Sequence, residues 1–162
     1  MSHLTRRGLG AATIGFAMTP AILRAQGRTV LRIGWTSGDG AQDPYALGAR
    51  LFKQGLDRRV GERVDVQLFP NRALGDERPM LDGMRLGTVD MGVITNAVIA
   101  QVEPAFQVND MPFLFSSEAQ AHRVLDGTVG AALRTRLEAR GVVPLGYMEG
   151  GFRQMINNVR PI

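Results

Sequence analysis

With 162 residues, 44% hydrophobic and 21% charged, the chain can enclose the core of one domain or of one lobe of something larger, and it shows no disorder bias or repeat. It has no cysteine, which excludes a disulfide scaffold, thiolate metal sites and a cysteine nucleophile, and its two histidines, His3 and His122, are too far apart for the usual imidazole metal spacings. The formal charge of +4 does not indicate nucleic acid: three basic residues (Arg6, Arg7, Arg24) and no acidic one fall within 1–25, the rest is close to neutral, and no basic stripe with interleaved aromatics is present.

Residues 1–25 read as an export signal. The start is charged, the stretch from Leu9 to Leu23 is mildly apolar, and Ala25 is a small residue where a peptidase could cut. That stretch is short for a bilayer and is broken by Pro20, so no membrane span is expected; the alternative is an amphipathic first helix. Arg6 and Arg7 follow Thr5 ahead of a core rich in Gly, Ala and Thr, and Arg24 sits beside the presumed cut, which favours the twin-arginine route over general secretion and a periplasmic destination.

From 26 onward strands alternate with helices. Val30 to Trp35 is apolar and β-branched, the pattern of a buried strand. Asp43 and Pro44 form an N-cap and first-turn proline, after which Leu47, Leu51 and Leu56 recur at helical spacing. A second strand alternates Val64, Val66 and Leu68 and stops at Pro70-Asn71. Asp76 caps a helix predicted from Glu77 to Leu86, with Pro79 in the first turn and Gly87 as the stop. "VDMGVIT" gives a third strand, followed by a short helical stretch from Asn96 to Val102. "VNDMPFLF" reads as a buried connector, Ser117 caps a helix through Leu125, another helix ends at Gly141, and "VVPLGYM" reads as a further strand. This order predicts an α/β fold with a mostly parallel sheet flanked by helices, residues 26–148 forming one lobe.

Enzyme signatures are missing: no nucleophile-elbow serine, no Walker loop, no carboxylate-histidine cluster. "SGDG" falls short of a dinucleotide fingerprint because Asp43 stands where the third glycine belongs. The expectation is a protein that is not an enzyme and has no cofactor and no metal. Open α/β sheets take ligands at the carboxyl ends of their strands, which singles out Trp35 and Thr36 after the first strand and Thr95 and Asn96 after the third. Asn96 fits a helix cap equally well, and Trp35 a core ring. Arg153 follows Gly150 and Gly151, which leave room for close approach, and its guanidinium can hold a carboxylate through two parallel N–H groups; spacing alone fits a surface ion pair at least as well.

"FPNRALGDERPMLDGMRLGTVDMGVIT", "MPFLF", "AHRVLDG" and "GYMEGGFRQMINNVRPI" occur in the order found in the DctP-type substrate-binding proteins of TRAP transporters, and the chain resembles that family from about Val30 to Ile162. The resemblance implies a periplasmic-binding-protein fold of two α/β lobes closing on a solute, mostly an organic acid, which is delivered to TRAP membrane subunits for transmembrane transport. It implies a carboxylate-holding role for Arg153 and a place in the cleft for Thr36, Thr95 and Asn96. The family pattern continues past "RPI" into a second lobe with another arginine, so residues 149–162 are expected to begin the crossover, the second lobe is expected to be largely missing, and the 162-residue chain is expected to bind organic acids weakly or not at all.

Three other readings stay open. A binding protein of the tripartite tricarboxylate type would hold carboxylates through backbone and water instead of Arg153. A small α/β nucleotide-dependent enzyme would need a phosphate-cradling loop. A chain without its own function would expose an apolar face.

Overall fold

The computed structural model describes residues 27–152 and residue 158. Among them strand and helix alternate: β1 (Thr29–Gly34), α1 (Pro44–Val60), β2 (Val64–Phe69), α2 (Glu77–Leu86) and β3 (Met91–Gly92), followed by α3 (Asn96–Ile99), a 3-10 helix (Pro104–Asp110), α4 (Glu118–Leu125) and α5 (Thr128–Glu138). The three strands form one parallel sheet in the order β2-β1-β3, with Ile33 of β1 opposite Leu68 on one side and Met91 on the other. Parallel neighbours need long crossovers, and α1 and α2 supply them.

Local chemistry starts and stops the helices. Asp43 Oδ1 accepts the N–H groups of Tyr45 and Ala46 at 2.9 and 3.0 Å, and Pro44 fills the first helical position, where no N–H is required. Asp76 caps α2 through the N–H of Glu77, and Gly87 ends it in the left-handed region at φ 76°. Ser117 caps α4 through the N–H of Gln120.

Two apolar clusters hold these elements together. Ile33, Trp35, Ala46, Ala49 and Val66 lie between the sheet and α1, joined by Phe52, Leu56 and Leu68. Ala100, Phe106, Leu133 and Leu137 join α3, the 3-10 helix and α5. Burying a large apolar side chain contributes roughly 1.5–3 kcal/mol, while an exposed ion pair contributes about 0–1 kcal/mol, so the clusters and not the surface pairs hold the layers. Gly34 lets α2 close onto the sheet: a Cβ there would stand 2.7 Å from Met80 Sδ.

The structure departs from the sequence-based expectations in four places. Leu47 and Leu51 face outward at 47% and 56% exposure, because α1 turns its small residues Ala46 and Ala49 to the sheet. The third strand shrinks to Met91–Gly92, which pairs only with Ile33 and Gly34 at the end of β1. The connector "VNDMPFLF" is not buried: after the 3-10 helix the backbone turns left-handed at Phe113 (φ 60°), leaving that ring 97% exposed and Met111 and Leu114 outside as well. "VVPLGYM" forms no strand. Val142 and Tyr147 turn into the second cluster, the Tyr147 hydroxyl donates to Gly130 O at 3.1 Å, and the segment lies across α5 with Val143 and Leu145 exposed.

Candidate functional site at the strand carboxyl ends

The loops after β1 and β3 meet at the first turn of α2, and the loop after β2 is bonded to the one after β1. Beyond β1, Trp35 N–H donates to Phe69 O at 3.2 Å and Trp35 O accepts Arg72 N–H at 3.1 Å, which ties the β1 and β2 loops together. The β2 loop can do this because Pro70-Asn71-Arg72-Ala73 folds into a turn with Asn71 and Arg72 both left-handed (φ 56° and 59°) and Ala73 N–H donating to Pro70 O. Asn71 N–H donates to Ser37 O at 2.9 Å. Beyond β3, Val93 N–H returns to Gly34 O at 2.9 Å.

Glu77, the first residue of α2, joins the loops that follow β1 and β3. Its Oε1 accepts the Thr36 hydroxyl at 3.2 Å, and its Oε2 accepts both the N–H and the hydroxyl of Thr95, at 2.8 and 2.5 Å. A carboxylate suits this place because a helix N-terminus carries partial positive charge. The two threonines singled out from the sequence are thus brought together through one side chain that sequence reasoning took only as a helix boundary. The available signal was an acidic residue directly after the Asp76 cap, but its partners lie far along the chain.

Asn96 and Trp35 serve the site from behind. Asn96 Nδ2 donates to Phe106 O at 2.9 Å and its Oδ1 accepts from Asn109 Nδ2 at 3.0 Å, so its amide fixes the 3-10 helix while Thr95 takes the N-cap position. Trp35 is fully buried and its indole N–H donates to Gly38 O at 3.1 Å, making the ring the floor beneath the β1 loop. Arg153 lies outside the described residues, as does the segment 1–25.

The loop itself is charged and tied down. The Ser37 hydroxyl donates to Asp43 Oδ1 at 2.9 Å. The N–H of Ala46, ahead of the Ser37 hydroxyl and the Tyr45 N–H, holds the Asp43 carboxyl below the usual carboxylate range against the opposing effect of desolvation. An open depression of ≈520 Å³ borders the Glu77 cluster, lined by Asp76, Glu77, Arg78, Pro79, Thr95 and Val98. A larger hollow of ≈700 Å³ sits at the other end of the sheet, beside the carboxyl end of α1, where Arg58 and Arg59 meet a helix end that favours cations.

Among the described residues no three His, Cys, Asp or Glu side chains group as metal ligands, and no helix is long and apolar enough to cross a membrane. The arrangement offers a carboxylate, two hydroxyls and backbone groups, which suits hydrogen bonding to a polar solute.

A family model described as bacterial extracellular solute-binding protein, family 7 (DctP) matches residues 36–162. The chain is 35% identical over 132 residues to the 2,3-diketo-L-gulonate-binding periplasmic protein YiaO of Escherichia coli (strain K12), covering 82% of this chain and 40% of that protein. It is 29% identical over 156 residues to the C4-dicarboxylate-binding periplasmic protein DctP of Rhodobacter capsulatus, covering 96% and 47%. A TRAP periplasmic solute-binding protein from Sulfitobacter sp. NAS-14.1, solved with bound β-D-galacturonate, superposes with a TM-score of 0.74 at 31% identity over 83% of this chain and 44% of that one. The chain therefore spans less than half the length of these relatives. Because the family model spans most of the chain, residues 36–162, the chain belongs to the bacterial extracellular solute-binding protein family 7, the DctP family.

Proposed function

We propose that this protein is the extracytoplasmic solute-binding component of a TRAP-type transporter, that it captures an organic acid in the periplasm and delivers it to membrane subunits, and that it performs no catalysis. The observation that carries this reading is the convergence of Thr36 and Thr95 on Glu77 at the carboxyl ends of β1 and β3. Such a cluster recognises the hydroxyl groups of a polyhydroxy acid, while Arg153 supplies the planar fork for its carboxylate. Trp35 supports this surface from below and Asn96 from the side. The relatives support the solute class, since their names specify a diketo-gulonate, a C4-dicarboxylate and a galacturonate. Residues 26–148 form the first lobe in this reading and 149–162 lead toward a second; residues 1–25, with Arg6 and Arg7, direct export by the twin-arginine route.

Micromolar capture requires about −8 kcal/mol, and one charge-assisted contact contributes roughly 1.5–3 kcal/mol. One lobe therefore binds in the millimolar range, and the rest of the affinity comes from enclosing the solute and excluding water. Titration of the 162-residue chain with D-galacturonate, L-gulonate and succinate, followed by amide NMR, tests this: shifts confined to Thr36, Glu77 and Thr95 that Arg153→Lys weakens support it. Uniform silence up to tens of millimolar, or stabilisation by nucleotides instead, would overturn it. Replacing Arg6 and Arg7 by lysine should leave the protein in the cytoplasm, and undiminished export would refute the twin-arginine route.

A further inference from the structure

The β1 loop that carries Thr36 runs through "TSGDG", and two glycines in five residues give such a segment more conformational freedom than a binding surface can use. Yet it is pinned at successive residues. Trp35 Nε1–H reaches up to Gly38 O at 3.1 Å. From α1, Arg50 Nη1 donates to Asp39 Oδ1 and Nη2 donates to Gly40 O at 2.9 Å. The geometry follows from helical side-chain direction: long side chains lean toward the helix N-terminus, so Arg50, two turns into α1, reaches the loop that precedes it.

We propose that Arg50 is a positioning residue that locks the Gly38–Gly40 loop against α1, so that Thr36 and its neighbours present one arrangement to solute. As an exposed ion pair with Asp39, Arg50 adds little to global stability. Its planar fork, however, satisfies two adjacent residues of the same loop, which a point ammonium cannot reproduce. Ordering the loop before solute arrives removes an entropy cost from binding. This consequence for affinity rests on the solute-binding reading above; the lock itself is measured without solute.

The chain's single tryptophan provides the readout, because its indole N–H is bonded to the same loop. In Arg50→Ala, solvent exchange of the Trp35 indole N–H should rise about fivefold or more while the protected amides of β1 and α1 stay unchanged. Arg50→Lys should fall between the two proteins. Unchanged indole exchange in Arg50→Ala would overturn the proposal, as would acceleration spread evenly over the whole protein, which would mark Arg50 as a general packing residue. Titration with D-galacturonate separates the two ideas: failure of the unsubstituted chain to respond counts against the solute-binding reading alone, and the indole measurement still decides the lock.

Discussion

Glu77 receives two hydrogen bonds from a single residue, Thr95, on one oxygen atom: the backbone N–H at 2.8 Å and the side-chain hydroxyl at 2.5 Å. Its other oxygen takes the Thr36 hydroxyl, so one carboxylate spans the ends of β1 and β3. Glu77→Ala leaves the half-buried Thr95 N–H without an acceptor and should cost about 1–3 kcal/mol in urea denaturation. Glu77→Gln keeps one oxygen for Thr95 and offers Thr36 an amide that its hydroxyl can accept, so the loss should be less than half as large. Equal losses for both substitutions would mean that charge, and not hydrogen-bond geometry, holds the loops.

Glu103 is the buried acid of the second cluster, with Arg140 Nε 3.0 Å from its Oε2 and Arg136 Nη1 3.9 Å from its Oε1. The hydrogen bond from Arg140, more than the Ala105 N–H or the Arg136 charge, holds its carboxyl below the ordinary value of 4.5. A depressed folded-state value means that stabilisation is complete above the ordinary value and fades as pH falls through the lower one. The thermal midpoint of Glu103→Gln should therefore lie below that of the parent at neutral pH and converge on it as pH falls through the lowered folded-state value. A gap independent of pH would show that packing, not ionisation, carries the effect.

Two glycines test the difference between yielding and unyielding neighbours. A Cβ at Gly34 meets the Met80 sulfur at 2.7 Å, which sits on a flexible side chain, whereas one at Gly130 overlaps the Leu125 carbonyl oxygen, which is backbone. Gly34→Ala should cost about 1–3 kcal/mol by overpacking. Gly130→Ala should cost more, because α4 and α5 must separate. The reverse order in chemical denaturation would place the tight contact at the sheet and not at the helical corner.

Asp43 caps α1 and also holds Ser37. Asp43→Ala should lower stability by about 1 kcal/mol, and Asp43→Asn by only part of that, since an amide oxygen still accepts from the helix. Circular dichroism melts of the two variants give the comparison, and identical losses would argue against capping as the cause.

Features governed by neighbouring residues were legible in the sequence. Asp43, Asp76 and Ser117 cap helices where they were expected, α2 runs from Glu77 to Leu86 as predicted, and β1 is displaced by only one residue. Features governed by distant partners were not. Strand character in Val142 to Met148 is a local property, but Tyr147 gains more by packing beside α5 and bonding Gly130. The exposure of Phe113 depends on a left-handed backbone that an aromatic residue rarely adopts. Thr36 and Thr95 could be placed at strand ends from alternation alone, but Glu77 could not be joined to them, because the three meet only once the parallel sheet has formed. The match of residues 36–162 to the DctP family agrees with the motifs that suggested it.

Phe113, held almost wholly in solvent beside Met111 and Leu114, makes folding and colloidal behaviour separate properties of this molecule. None of the three belongs to either apolar cluster, so their adhesiveness is not repaid in thermal resistance. Light scattering at rising concentration and the heat of unfolding would thus respond to different parts of the chain, the first to a turn after the 3-10 helix and the second to the layers beneath.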